Sequence, residues 1–220
     1  MNANSPIWIT NFKTYEQSVN ENAIQLGLIH EKVAKETGKN VWCAVNAIDL
    51  QATADIILSP VLAQHVDGIE YGSHTGHIHP ATVQNAGAIG TLLNHSENRV
   101  SFEALQAAIT ACKKYELKTI VCAESPAEVA KFAELKPDML AFEPPQLIGS
   151  SDISVADEPE LITQSIEKAN GIPLLVGAGI NKPADIRTAL DLGAQGFLVA
   201  SAIVKSDNPE ATLRLFLTEF

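Results

Sequence analysis

Positive charge is scarce in this chain. Lysine and arginine together number 15 against 26 aspartates and glutamates, so the 220 residues carry a formal net charge of −11. Such a surface does not neutralise a phosphate backbone, which argues against nucleic acid as a partner. Any small anion bound here has to be met by positive charge gathered locally. Cysteine is scarce too. Cys43, Cys112 and Cys122 form no CxxC or other metal-ligand spacing. Each lies in an apolar stretch, where a thiol serves as a small buried hydrophobe. An odd, sparse count fits a reducing compartment. The opening residues "MNANSPIW" lack the basic n-region and apolar h-region of a secretory signal,. No run reaches the length of a membrane span. The expectation is a soluble, cytoplasmic protein with no membrane partner. No G-x-G-x-x-G follows the first apolar run, which removes the main support for a dinucleotide-binding fold.

What is present is ordinary globular composition, 46% hydrophobic and 19% charged, arranged as a repeating alternation. Eight short apolar runs rich in β-branched residues read as strands: 6–12, 41–47, 61–66, 88–94, 118–123, 139–143, 173–179 and 196–201. Segments of helical period fit between most of them. Ala23, Leu26, His30, Val33 and Thr37 trace one face of the first helix, with Gly38 placed to cap it. Ser101 is an N-cap candidate for a helix whose face carries Phe102, Leu105, Ala108 and Cys112. Residues 182–192, closed by Gly193, and 208–220 read as the seventh and eighth helices, and a short second helix lies in "IDLQATADIILS". Near-continuous apolar strands alternating with helices predict a parallel sheet covered by helices. Their number selects a closed (β/α)₈ barrel, and 1–220 reads as one domain without linker or low-complexity tract.

In such a barrel the C-terminal ends of the strands build the site. The first strand keeps Ile7, Ile9, Asn11 and Lys13 on one parity, so an apolar row ends in an amide and a cation. The fourth ends in "NHSEN", with His95 and Glu97, the sixth in Glu143, the seventh in "GAGIN" and the eighth in "ASA". A lysine, a histidine and a glutamate facing one mouth beside Gly- and Ser-containing turns suit an anionic, oxygen-rich small molecule. Taken singly, each has a bland counterpart: a solvated strand-end acid, a capping histidine, a snorkelling lysine.

The segments "NFKTY", "GSHTGHI", "GTLLNHSENR", "EPPQLIG", "VGAGI" and "LVASAIVKS", in this order and at these barrel positions, resemble the triosephosphate isomerase family in its short archaeal form. The resemblance implies a TIM barrel that interconverts glyceraldehyde 3-phosphate and dihydroxyacetone phosphate without cofactor or metal. It implies Glu143 as the base and His95 as the electrophile, the latter kept neutral near a helix N-terminus. It further implies Glu97 as an accompanying acid and Lys13 as the cation, its head held by Asn11. Substrate binding falls by the same resemblance to Asn11, Phe12, Lys13, Ile148, Gly149, Gly177, Gly179, Ala200 and Ser201. Ile148 and Gly149 belong to a sixth loop that closes over the substrate. That loop departs from the family's pattern at Gln146, Ser151 and Asp152.

The segment "SHTGHIHP" places His74, His77 and His79 at a spacing permissive for zinc. It is instead read as a Gly-containing loop, because no acid lies inside it and no cysteine nearby. By resemblance, loop 67–80 projects into a second copy near the partner's Lys13, so self-association is expected. A non-catalytic sugar-phosphate-binding barrel and a different aldose–ketose phosphate isomerase are the alternatives. A base paired with an electrophile, His95 with Glu143, is what a pure binder does not need.

Overall fold

A computed structural model describes residues 5–147, 154–155 and 157–220. Eight parallel strands close into a barrel in chain order: β1 (Ile7–Asn11), β2 (Asn40–Val45), β3 (Val61–Ala63), β4 (Gly90–Leu93), β5 (Lys118–Ala123), β6 (Met139–Phe142), β7 (Leu174–Val176) and β8 (Gly196–Val199). The last strand closes on the first, Ile7 facing Gly196 and Thr10 facing Val199. Around them lie α1 (Glu21–Thr37), α2 (Leu50–Ala54), α3 (Pro80–Asn85), α4 (Phe102–Lys114), α5 (Pro126–Ala133), α6 (Pro159–Lys168), α7 (Pro183–Asp191), α8 (Ser201–Val204) and α9 (Pro209–Leu217). Among the described residues no helix is long and apolar enough to cross a membrane.

Strand parity divides the core in two. Ile9, Trp42, Ala44, Leu62, Leu92, Ile120, Ala141, Leu175 and Leu198 point inward and fill the barrel. Their chain neighbours, Trp8, Cys43, Val121, Leu140 and Phe197 among them, face the helices. This two-sided burial is why the strands read as continuous apolar runs rather than alternating ones. On the outer face Trp8 stacks on Phe216 of α9 at 5.7 Å between ring centroids. Its indole N–H donates to Thr10 Oγ1 at 2.9 Å. The Thr10 hydroxyl in turn donates to His30 Nε2 at 2.7 Å, while His30 Nδ1 donates to the Leu26 carbonyl at 2.8 Å. This chain welds α1 to β1 with every donor satisfied. Burial keeps His30 neutral, its pKa lowered from 6.5 to about 4,.

Several local expectations are corrected. Every predicted strand except the fifth is shorter, because turn residues at its ends, many of them apolar or small like Ala47, Ala178 and Ala200, fall outside the ladder. Thr37 is exposed and folds its hydroxyl back to the Val33 carbonyl at 2.7 Å, and Gly27 joins the buried face of α1 instead. Gly38 caps α1 in the left-handed region at φ 69°, and Ser101 Oγ accepts the Ala104 N–H at 3.1 Å, as their positions predict. The eighth predicted helix is shortened to α9 and is preceded by the separate turn of α8.

Candidate active site

The first strand stops at Asn11, and the reason Lys13 follows it is not strand parity. Lys13 is left-handed, at φ 51°, and its N–H donates to Asn11 Oδ1 at 3.0 Å. Asn11 therefore holds the Lys13 backbone rather than its head. The ammonium is taken by Glu97, 2.7 Å from Oε1. Gln64, at the end of β3, was not anticipated. Its amide nitrogen lies 3.2 Å from Asn11 Oδ1 and 3.0 Å from the Lys13 carbonyl. The signal was available, since a polar residue ending an apolar run was the clue used for Asn11.

His95 follows β4 after Asn94, another left-handed residue at φ 58°. The ring is buried, and its Nδ1 accepts the Glu97 N–H at 3.1 Å. That bond leaves the proton on Nε2, which becomes the donor. The helix N-terminus invoked for His95 is not what supplies this N–H. Residues 96–97 form a turn and α4 begins only at Phe102. Burial and the Lys13 charge lower the His95 pKa, with Glu97 opposing them, so the imidazole stays neutral.

Glu143 follows β6, its N–H bonded to the Ala123 carbonyl at 2.8 Å. Its Oε1 stands 3.5 Å from His95 Nε2. Oε2 is buried with no hydrogen-bond partner among the described residues. Desolvation raises the carboxyl pKa from 4.5 to about 7, with the Cys122 thiol and the Lys13 charge pulling the other way,. The position is open because residue 177 is glycine: a Cβ there would meet Glu143 Cγ at 2.5 Å.

These groups converge on a cavity of about 500 Å³. Asn11, Lys13, His95, Glu97, Glu143, Gly177, Gly179, Ala200 and Ser201 all line it, as do Tyr15, Leu147 and Asn181, which sequence reasoning missed. Gly179 is left-handed at φ 72° and Ser201 opens α8 behind its N-cap Ala200. Phe12 does not line the cavity. It is fully buried, its ring 5.4 Å from that of His30, because the residue after Asn11 faces the helices. Ile148, Gly149, Ser151 and Asp152 lie outside the described residues. The three loop histidines go separate ways. His79 is buried and caps α3, accepting the Ala81 N–H at 3.0 Å. His77 Nδ1 faces Asp67 at 3.1 Å, and His74 is exposed. That acid lies upstream of the histidine segment itself.

Comparison with known proteins bears on the family and the fold. A family model described as triosephosphate isomerase matches residues 6–216. The triosephosphate isomerase of Methanosarcina acetivorans is 40% identical over 214 residues, covering 95% of this chain and 96% of that one. That of Methanobacterium bryantii is 43% identical over 213 residues, covering 95% and 94%. In three dimensions, a crystal structure of triosephosphate isomerase from Bartonella henselae superposes with a TM-score of 0.72 at 19% identity. It covers 96% of this chain and 99% of that chain, a likeness of fold. On the family match and the archaeal relatives together, the chain belongs to the triosephosphate isomerase family.

Proposed function

We propose that this isomerase moves a proton between adjacent carbons of a triose phosphate with Glu143 as base and His95 as electrophile. The Glu143 carboxylate takes the proton α to the carbonyl of glyceraldehyde 3-phosphate or dihydroxyacetone phosphate. Charge then gathers on the carbonyl oxygen, where the Nε2–H of neutral His95 donates to it and stabilises the enediolate. The proton of the adjacent hydroxyl passes to the charged oxygen beside the His95 Nε2–H, and the protonated Glu143 returns its own proton to the neighbouring carbon, so the new carbonyl forms and both the carboxyl and the imidazole end as they began. Lys13 supplies the local positive charge that an acidic protein otherwise lacks, and Glu97 holds the ammonium. The phosphate lies against backbone N–H groups of the Gly179 and Ser201 turns. The chemistry needs no cofactor.

The observation that carries this reading is the pair His95 Nε2 and Glu143 Oε1, 3.5 Å apart, beside a buried Oε2 without a partner among the described residues. A carboxyl held near neutrality next to a neutral imidazole is matched to proton transfer, not to holding an anion. Steady-state conversion of glyceraldehyde 3-phosphate tests it, run beside Glu143→Gln. Turnover that disappears in a folded variant is expected. Near-normal turnover in that variant refutes the assigned base.

The same reading extends to assembly. Residues 70–77 form an exposed run at the tip of loop 67–80. A recess of about 270 Å³ lined by Lys13, Gln64, His65 and Asn98 opens beside the active site. This supports copies exchanging loop tips in a dimer or tetramer. We propose, too, that the barrel 1–220 is the single catalytic domain and that the enzyme works in the cytoplasm. Sedimentation velocity of the wild type and of Thr75→Arg checks it: the first is expected to associate and the second to dissociate, and a monomeric wild type refutes it.

A further inference from the structure

The segment that carries His95 and Glu97 is long and has little backbone order of its own. β4 ends at Leu93 and α4 begins at Phe102. Between them the Asn98 N–H donates to the His95 carbonyl at 2.8 Å. Two side chains tie the segment to the next β/α unit. Asn94 accepts the Val100 N–H at 3.1 Å and donates to the Cys122 carbonyl at 3.0 Å. Arg99 reaches the other way. Its Nη1 donates to Glu128 Oε2 at 3.0 Å, its Nη2 contacts Glu128 Oε1, and Glu124 Oε1 lies 3.5 Å from Nη1.

Glu128 is itself held in place. It sits in the first turn of α5, where its N–H donates to Ser125 Oγ at 3.2 Å and its carboxylate accepts the Glu124 N–H at 2.9 Å. The guanidinium thus docks on a carboxylate that is already tied to the chain entering α5, whose N-cap is Ser125. A planar, two-pronged pair fixes direction as well as distance, which a lysine does not do.

We propose that Arg99 is a positioning residue for the isomerisation: docked on Glu128, it sets the turn whose Glu97 N–H holds the His95 ring. The link is short, because Glu97 stands two residues before Arg99 and its N–H is the donor to His95 Nδ1. The Glu97 side chain does not anchor the turn independently: it is exposed, it pairs with the Lys13 ammonium, and its other oxygen lies 3.8 Å from the His95 ring that the turn has to hold. Releasing Arg99 lets the Glu97 amide drift, and the imidazole loses the contact that keeps its proton on Nε2. The inference rests on the reaction assigned above, and Arg99 itself does not line the cavity.

The test is a cycle of Arg99→Gln, Glu128→Gln and the double variant, with Arg99→Lys as the conservative replacement. Expected for Arg99→Gln is a roughly 10-fold fall in kcat, as small misplacements of reacting groups produce. KM should change less than about 2-fold, because the phosphate contacts come from the loops after β7 and β8. The double variant should be no worse than Arg99→Gln, the mark of two residues acting as one. Arg99→Lys should recover only part of kcat. The ¹⁵N shifts of His95 should move from a single Nε2–H tautomer to a mixture. Unchanged kcat with an unchanged tautomer overturns the proposal, and so do additive losses that track melting temperature. If Arg99→Gln fails to fold, Glu128→Gln alone gives the reading, since Ser125 still caps α5. Should the wild type prove inactive, the reaction assignment fails instead, and the His95 tautomer in Arg99→Gln then decides this proposal by itself.

Discussion

Glutamine at position 143 keeps the shape of the side chain while removing its charge and its ability to take a proton, so it separates two effects. The first is chemical: loss of the base lowers kcat by about 10²–10⁴-fold. The second is a change in stability whose sign follows from burial. Glu143 is raised from 4.5 to about 7 in the folded chain. Between those values the folded state binds more protons than the unfolded one, so stability falls as pH climbs from about 4.5 to about 7 and stays low above. At about 1.4 kcal/mol per unit, the ionised carboxylate costs the fold about 3 kcal/mol at about pH 8. Glutamine removes that slope. The variant's melting temperature should therefore rise relative to wild type across this window, by about 6–12 °C for a chain of this size. His30 produces the opposite slope. Its pKa is lowered from 6.5 to about 4, so its contribution to stability is lost as pH falls through that range. Because His30 is present in both proteins, the difference between their melting curves cancels it. Any unpaired glutamine amide adds an offset that does not vary with pH, so the slope and not the level is diagnostic. Circular-dichroism melts at half-unit pH steps, paired with turnover, read both effects. Parallel melting curves refute the argument that burial raises the Glu143 pKa.

Four further outcomes follow from the same geometry. Gly177→Ala places a Cβ 2.5 Å from Glu143 Cγ, so the carboxyl must shift; kcat should fall by about 10²-fold with KM little changed, and a matched loss in both refutes the steric account. Lys13→Met removes a charge that lowers the Glu143 pKa, so the acid limb of the kcat/KM profile, near about pH 7 in the wild type, should move up. It should also lose about 10²–10³ in kcat/KM, measurable across a pH series. His30→Leu leaves the Thr10 hydroxyl without its buried acceptor; unfolding by denaturant should show a loss of about 1–3 kcal/mol together with a flatter stability profile between about pH 4 and 6.5. Gln64→Leu frees Asn11 and the Lys13 carbonyl, and calorimetric titration with inorganic phosphate should stay near wild type while kcat falls, since Gln64 sits away from the phosphate turns.

How much of this was legible depends on which distance in the chain a feature spans. The eight strands were readable because burial on both faces demands unbroken apolar runs, and that demand is local. Strand ends were not readable, because each ends where a turn begins and the turn residues are themselves apolar or small, as in "GAGIN". Parity placed Asn11 correctly, since it still belongs to β1. It failed at Lys13, where the backbone has left the extended region, and a φ of 51° is invisible to an alternation count. The resemblance named Asn11, Lys13, His95, Glu97 and Glu143 but not Gln64, nor the pairing of the Lys13 ammonium with Glu97. The ammonium finds Glu97 across 84 residues of sequence, and Gln64 finds Asn11 across 53. Those separations are set by barrel closure, which brings β8 beside β1 and gathers the residues after β1, β3 and β4 around the same mouth. Closure also explains the neutral histidine. A single backbone N–H from Glu97 fixes its tautomer, while burial under the neighbouring loops and Lys13 from the first strand depress its pKa. The electrophile's protonation state is therefore a property of the closed barrel mouth, in which a cation from β1's loop, the walls that bury the ring and the Glu97 turn act together on a ring after β4. No stretch of sequence contains all three.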